Sequence, residues 1–61
     1  MNRRELEAMT KEELVDIAVE HTKIINELRG YDSGLKRMHF EIFSKEELVD
    51  GALERIKRFG L

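Results

Sequence analysis

A six-residue signature occurs three times in this chain, at residues 1–6, 9–14 and 43–48. Each copy runs from an apolar residue to a small polar residue and then, through two spacers, to Glu-Leu. This is the form of a capping box with a hydrophobic staple, in which the polar side chain and the glutamate each accept a hydrogen bond from the other's backbone amide. The signature therefore predicts three helix starts, after Asn2, Thr10 and Ser44.

The second and third copies share a longer match, because Lys-Glu-Glu-Leu-Val-Asp follows both Thr10 and Ser44, 34 residues apart. A helical repeat array has such a period, although two helix starts are too few for a solenoid. Shared capping chemistry accounts for the match by itself, and a degenerate internal duplication is the alternative.

The second copy leads into a long amphipathic helix, which we predict over residues 11–29. At about 100° per residue, one arc of this helix is apolar and the opposite face is charged. The apolar arc contains Leu14, Ile17, Ala18, His21, Ile24, Ile25 and Leu28, with Val15 and Val19 to one side. Gly30 is a natural helix end, and Arg29 is favourably placed near the negative end of the helix dipole.

The segment from residue 35 to residue 43 fits two patterns. Met38 and Ile42 belong to a helical stripe, and Met38, Phe40 and Ile42 also fit an alternating strand. A lone strand would have no partner elsewhere in this chain and would be unstable. We therefore predict a short helix over 35–42, preceded by a turn at residues 31–34.

The third copy predicts a last helix over 45–59, ended by Gly60. With a short first helix over 3–8, the chain is predicted to be all-α, a small compact bundle of three to four helices in one domain, 1–61. The second predicted helix is expected to pack on the last one.

Size and composition exclude several classes of protein. The chain has 61 residues and no cysteine, so it has no disulfides, and a domain this small is marginal without good packing or self-association. No run of 18 apolar residues is present, and the basic start is not followed by the apolar region of a signal peptide. We therefore expect a cytoplasmic protein that does not enter a membrane.

The sequence contains no nucleophile motif, phosphate-binding loop or metal-ligand cluster. Two lone histidines, His21 and His39, do not make a zinc site. We therefore predict no catalytic, cofactor-binding or metal residues, and a protein that is not an enzyme.

Basic residues suggest where nucleic acid could bind. The net charge of −2 argues against strong non-specific binding but leaves room for a local basic patch. Three cations flank the predicted turn, and two lie at helix N-termini, where backbone amides and the helix dipole attract phosphate. The candidates for DNA or RNA contacts are Lys11, Arg29, Lys36, Arg37 and Lys45; ordinary charge balance is the alternative explanation.

Two segments resemble a known family. Residues 1–18, which carry the first two signature copies, look like the opening of the N-terminal domain of transcription termination factor Rho. Residues 45–53, Lys-Glu-Glu-Leu-Val-Asp-Gly-Ala-Leu, are similar to the closing helix of that domain and of the related SAP and helix–extended–helix modules. The resemblance covers about half the chain. It implies a small helical module associated with DNA or RNA, with Lys11 and Lys45 contacting the backbone.

The apolar arc of the second predicted helix also has the spacing of a coiled-coil seam. Packing against the last helix would produce the same stripe. The alternative is a homodimer in which protonation of His21 places like charges together and loosens the interface. The candidate interface residues are Leu14, Val15, Ile17, Val19, His21, Ile24 and Leu28.

The sequence therefore leaves two functions open. One is a small regulator that binds nucleic acid through a basic patch, and the other is a protein-interaction or homodimerisation module that uses the apolar stripe. We expect the folded surface to discriminate them. Cations that converge on one face favour nucleic acid, whereas scattered cations beside an exposed apolar patch favour a protein partner.

Overall fold

The computed structural model describes residues 1–30 and 36–61. In those ranges the chain forms four helices and no strand: α1 (Arg3–Glu7), α2 (Lys11–Arg29), α3 (Arg37–Glu41) and α4 (Lys45–Phe59). The all-α prediction is confirmed, and the ambiguous segment contains a short helix. The predicted turn at residues 31–34 lies outside the described residues, as does Leu35, where the third helix was predicted to begin.

The three signature copies start α1, α2 and α4 as predicted. The side-chain oxygens of Asn2, Thr10 and Ser44 accept from backbone amides three residues later, at 2.9, 3.2 and 3.2 Å. The matching glutamates each accept from the cap amide at 3.1 Å. These reciprocal bonds satisfy amides that a helix start otherwise leaves without a partner.

α3 begins with a variant of this device. The backbone N–H of Lys36 donates to Nδ1 of His39 at 2.9 Å, so an imidazole takes the place of the capping glutamate. Lys36 has no side-chain acceptor, and only half of the capping box forms. His39 therefore helps to start a helix, a role that the sequence did not suggest.

We expect Thr10→Ala and Ser44→Ala each to lower the free energy of unfolding by about 0.5–2 kcal/mol, because each change removes the acceptor for a helix-start amide. Urea unfolding followed by circular dichroism measures this effect. Thr10→Asn and Ser44→Asn retain an acceptor and serve as controls that should stay near the wild-type midpoint. Unchanged midpoints in both alanine variants would contradict the role of the caps.

The helices α2 and α4 end at glycines, as predicted. Gly30 and Gly60 adopt left-handed backbone with φ of 72° and 69°. Their amides donate to the carbonyls of Asn26 and Ile56, both at 2.9 Å. A side chain at either position would be strained in this conformation, which explains why glycine occupies both.

The core lies between α2 and α4, and the short helices close it. α2 packs against α4 and α3, and α1 packs against α4. The predicted contact between the two long helices is confirmed. The buried apolar residues are Leu6, Leu14, Val15, Ala18, Phe40, Leu48, Val49 and Ala52.

The two halves of the fold repeat each other with an offset of 34 residues, the separation of Thr10 and Ser44. Short α1 is equivalent to short α3, and long α2 to long α4. The buried apolar residues form equivalent pairs: Leu6 with Phe40, Leu14 with Leu48, Val15 with Val49, and Ala18 with Ala52. The structure therefore favours an internal repeat over shared capping chemistry alone.

Contacts between the two halves are reciprocal. Arg3 of α1 pairs with Asp50 of α4, and the equivalent Arg37 of α3 pairs with Asp16 of α2. Reciprocal contacts of this kind are characteristic of symmetric dimers. The halves are thus related by an approximate two-fold axis, and departures from that symmetry show where one half has acquired a different surface.

Candidate functional site

α3 presents an apolar face to solvent. Met38 is 66% exposed and Ile42, at the C-terminal cap of α3, is 81% exposed. Residues four apart lie on the same side of a helical turn. Phe43, the next residue, is 38% exposed. We call Met38, Ile42 and Phe43 the α3 surface.

α3 is held in place by one aromatic anchor and one ion-paired arginine. Phe40 is buried in the core, and the ring of Phe43 lies 6.3 Å from it, centroid to centroid, at a tilt of 50°. On the outside, Arg37 pairs with Asp16 of α2 and with Glu41 at 3.3 Å. Since Phe40 points inward, Met38 and Ile42 are left on the solvent side, although the predicted stripe would have placed them together against the core.

The approximate symmetry makes this exposure distinctive. The positions equivalent to Met38 and Ile42 in the first half are Arg4 and Ala8, which are a charged and a small residue. At the equivalent positions, the first half therefore has a surface of charged and small residues. Only the second half places large aliphatic side chains there.

A groove of about 610 Å³ adjoins the α3 surface, between α3 and α4. Phe40, Phe43 and Leu48 supply apolar lining, and α4 contributes Gly51 and Arg55. We call this the α3–α4 groove. Phe43 belongs to both the groove and the α3 surface, so the two form one continuous region. The volume of the α3–α4 groove lies in the range typical of ligand pockets.

Arg55 is a half-buried cation at this groove. Its Nε donates to Nδ1 of His21 at 3.2 Å, and its guanidinium carbon lies 5.9 Å from the centroid of the Phe40 ring. Burial lowers the pKa of Arg55. Nη2 is buried and has no hydrogen-bond partner within residues 1–30 and 36–61.

His21 faces this cation from α2 and is only 7% exposed. Burial, followed by the positive charge of Arg55, lowers the pKa of His21 from its ordinary value of 6.5. The ring is therefore neutral at pH 7, as it must be for Nδ1 to accept the hydrogen bond from Arg55. His21 and Arg55 occupy equivalent positions in the two halves, so their contact lies close to the approximate two-fold axis.

The predicted interface stripe of α2 is divided between core and surface. Leu14, Val15 and His21 are buried, and Ile17, Val19 and Ile24 are half-buried. Leu28, at the far end, is 67% exposed. Ile17 and Ile24 border a shallow apolar depression of about 270 Å³ with Met1 and Leu61. The inner half of the stripe thus serves packing within the chain.

The five predicted nucleic-acid residues do not converge on one face, although two of them, Lys11 and Arg37, are brought together. Lys11 and Arg37 border one concavity, and Lys45 borders a different one with Arg3. Lys36 is exposed at the start of α3, and the Arg29 guanidinium lies 4.9 Å from the centroid of the Phe59 ring. Lys11 and Arg29 are at opposite ends of α2, about 27 Å apart at 1.5 Å per residue.

Two of the cations in these concavities already have carboxylate partners. The hydrogen bond to Asp16 raises the pKa of Arg37, and the hydrogen bond to Asp50 raises that of Arg3. A cation held by a carboxylate has less charge to offer a phosphate. The described surface therefore combines scattered basic residues with an exposed apolar patch.

Sequence reasoning missed the α3 surface and the importance of Arg55. Met38 and Ile42 fit both a helical stripe and an alternating strand, and neither pattern says which side faces solvent; nothing near Arg55 in the sequence marks it out from other cations. One signal was available in the 34-residue repeat. Aligning the halves pairs Phe40 with the apolar Leu6 and pairs Met38 with Arg4, which indicates that Phe40 faces inward and Met38 outward.

Comparison with protein-family models, curated proteins and solved structures finds no match to the chain. Within residues 1–30 and 36–61, no helix has both the length and the hydropathy needed to cross a membrane. The same residues contain no group of three or more metal-ligating side chains placed to hold an ion.

Proposed function

We propose that this chain is a non-enzymatic protein-interaction module that binds an apolar segment of another polypeptide at the α3 surface. The observation that carries the proposal is the exposure of Met38 and Ile42, at 66% and 81%. Burying an aliphatic side chain of this size contributes about 1.5–3 kcal/mol. A partner that covers both residues therefore gains substantial binding energy.

The grouping of these residues supports a binding site over chance exposure. Single exposed apolar residues such as Leu28 are normal on protein surfaces. Met38, Ile42 and Phe43, in contrast, lie within six consecutive residues and continue into an apolar groove. The equivalent surface of the first half has Arg4 and Ala8, so the internal repeat itself does not require large aliphatic side chains here.

The charge distribution gives less support to nucleic-acid binding. That function would use Lys11, Arg29, Lys36, Arg37 and Lys45. Lys11 and Arg37 share a concavity, whereas Lys45 borders another and Arg29 lies over Phe59 at the far end of α2. Arg37 is paired with two carboxylates, and the chain has a net charge of −2. Phosphate binding requires cations that act together along one path.

The test uses short peptides selected from a random displayed library on the immobilised protein. Their dissociation constants are then measured by fluorescence anisotropy for the wild type, Ile42→Lys and Leu28→Lys. We expect Ile42→Lys to weaken binding by about tenfold or more, since a charge replaces a buried aliphatic group. Leu28→Lys changes another exposed apolar residue, 67% accessible and away from α3, and should bind as the wild type does.

Three results would contradict this assignment. Selection could yield no specific peptide, or Ile42→Lys could bind selected peptides as tightly as the wild type. Binding of short DNA or RNA at low salt, lost on adding salt and unchanged in Ile42→Lys, would instead support the nucleic-acid function.

Sedimentation equilibrium of the protein alone determines whether the partner is a second copy. A dimer that dissociates in Ile42→Lys and persists in Leu28→Lys would identify a second chain as the occupant of the α3 surface. A dimer that dissociates only in Leu28→Lys would assign self-association to the α2 stripe and would count against the α3 surface.

A further inference from the structure

We propose that the α3–α4 groove binds a carboxylate side chain set among apolar residues of the partner segment, with Arg55 as its counter-ion. This inference rests on the proposed function and names the chemistry that the partner must present. It is carried by a cation without a counter-ion in the described part of the chain, by the absence of a side chain at Gly51, and by the apolar lining of the groove.

Within the described residues, Arg55 of α4 lacks the carboxylate partner that Arg3 of α1 and Arg37 of α3 each have. Arg3 and Arg37 are 51% and 42% exposed in their side chains, and both pair with aspartates across the two halves. Arg55 is more buried, yet no carboxylate of residues 1–30 and 36–61 lies within ion-pair distance of it. A cation removed from water without a counter-ion is costly, so a ligand that supplies one is favoured.

The two carboxylates in the groove lining, Glu47 and Asp50, bond to groups other than Arg55. Glu47 accepts the backbone N–H of Ser44 at 3.1 Å in the α4 capping box. Asp50 accepts from Arg3. These two negative charges oppose any anion, and they disfavour a polyanion such as nucleic acid more than a single carboxylate carried on an apolar body.

Gly51 leaves room at the guanidinium. A Cβ at this position would lie only 3.2 Å from Nη1 of Arg55, closer than side chains normally approach. Glycine in the middle of a helix is unfavourable by about 0.5–1 kcal/mol relative to alanine. The equivalent residue of the first half is Ile17, so a branched side chain stands at the position where the second half has none.

The Nη1 atom of Arg55 is the donor beside Gly51 in the groove lining. His21 accepts from Nε, which orients the guanidinium, and Nη2 is buried with no acceptor among residues 1–30 and 36–61. Carboxylates form strong charge-assisted hydrogen bonds with the terminal N–H groups of arginine. Phe40, Phe43 and Leu48 exclude water from the contact, which strengthens the electrostatic attraction.

Continuity with the α3 surface identifies the source of the carboxylate. Because Phe43 belongs to both regions, a polypeptide lying over Met38 and Ile42 reaches the groove without a break. An acidic residue flanked by apolar residues would satisfy both regions at once. A free aliphatic acid could fill the groove but would leave the exposed side chains of α3 uncovered.

The test compares two probes that differ only in charge, acetyl-Leu-Glu-Phe-amide and acetyl-Leu-Gln-Phe-amide. Binding is followed by nuclear magnetic resonance through the backbone amide of Gly51 and the side-chain Nε–H of Arg55. We expect the Glu peptide to bind at least about fivefold more tightly than the Gln peptide, as a charge-assisted hydrogen bond replaces a neutral one. Arg55→Gln should abolish this preference, and Arg58→Gln, a change of an exposed arginine on the same helix, should retain it.

Gly51→Ala provides a second variant whose fold is not in doubt, because alanine favours a helix and the crowded atom is the end of a flexible side chain. We expect it to weaken the Glu peptide and to leave the circular dichroism spectrum unchanged. Equal binding of the two peptides to the wild type, or no binding of either, overturns the carboxylate inference. Octanoate that binds as tightly as the Glu peptide overturns the assignment to a polypeptide.

These outcomes separate the two proposals. If library peptides lose affinity in Ile42→Lys while the Glu and Gln probes bind equally, the interaction function stands and the role of Arg55 is wrong. If library peptides are insensitive to Ile42→Lys while the Glu probe still requires Arg55, the groove binds carboxylates and the α3 surface is not the docking site.

Discussion

Replacing Leu6 with alanine is expected to lower the free energy of unfolding by about 2–5 kcal/mol. Leu6 is fully buried although α1 has only five residues, and it is the residue through which α1 joins the core beside α4. A chain of this length is stabilised by only about 3–9 kcal/mol in total. We therefore expect a large fraction of Leu6→Ala to be unfolded at about 37 °C, where the free energy of unfolding is already lower than at room temperature.

Leu28→Ala is the matched control, since it makes the same chemical change at a side chain that is 67% exposed. It should change the free energy of unfolding by less than about 0.5 kcal/mol. Urea unfolding of both variants, followed by circular dichroism, measures the difference. Similar midpoints for the two variants would show that α1 does not contribute to the core.

Acid should destabilise the protein through His21. Burial and Arg55 lower the pKa of His21 in the folded state, whereas the unfolded ring titrates near about 6.5. Below about 6.5 the unfolded chain binds a proton that the folded chain does not, so stability rises with pH in this window and falls as pH is lowered. The loss ends once the pH is below the lowered pKa of the folded state. Protonation also removes the acceptor that Nδ1 offers to Arg55.

His21→Gln tests this mechanism because it cannot be protonated and still offers an oxygen acceptor to Arg55. Unfolding by urea between about pH 7.5 and pH 5 should show a shallower decline of stability for His21→Gln than for the wild type. His21→Ala at neutral pH should cost about 1–3 kcal/mol, because Nε of Arg55 is then left without an acceptor. Parallel pH profiles for the wild type and His21→Gln would contradict a role for His21.

The helix boundaries were predictable because the groups that set them are close in the sequence. Each capping box joins residues three apart, as in Ser44 and Glu47, and each closing glycine needs only a left-handed backbone, as at Gly30. The packing of α2 on α4 was predictable because each of these two helices has an apolar arc along one side. The same local information could not say which residue of a five-residue helix such as α3 faces inward.

The candidate site depends on contacts between residues far apart in the chain. Phe40 enters the core where α3 packs on α2, as the equivalent Leu6 does where α1 packs on α4. His21 and Arg55 are 34 residues apart and meet across that axis. The seam on α2 could serve either a second chain or the same chain, and the tertiary structure uses Leu14 and Val15 for the latter.

The sequence by itself determined where the long helices begin and end and that the chain is all-α, because capping and amphipathic periodicity act within a few residues. Only the tertiary structure decided how far Met38 and Ile42 are exposed, and that Arg55 lies beside an open groove without a counter-ion among residues 1–30 and 36–61. Those features arise when α3 and α4 pack against the other half. Burial and charge pairing are properties of what surrounds a side chain, and most of those surroundings come from distant parts of the chain.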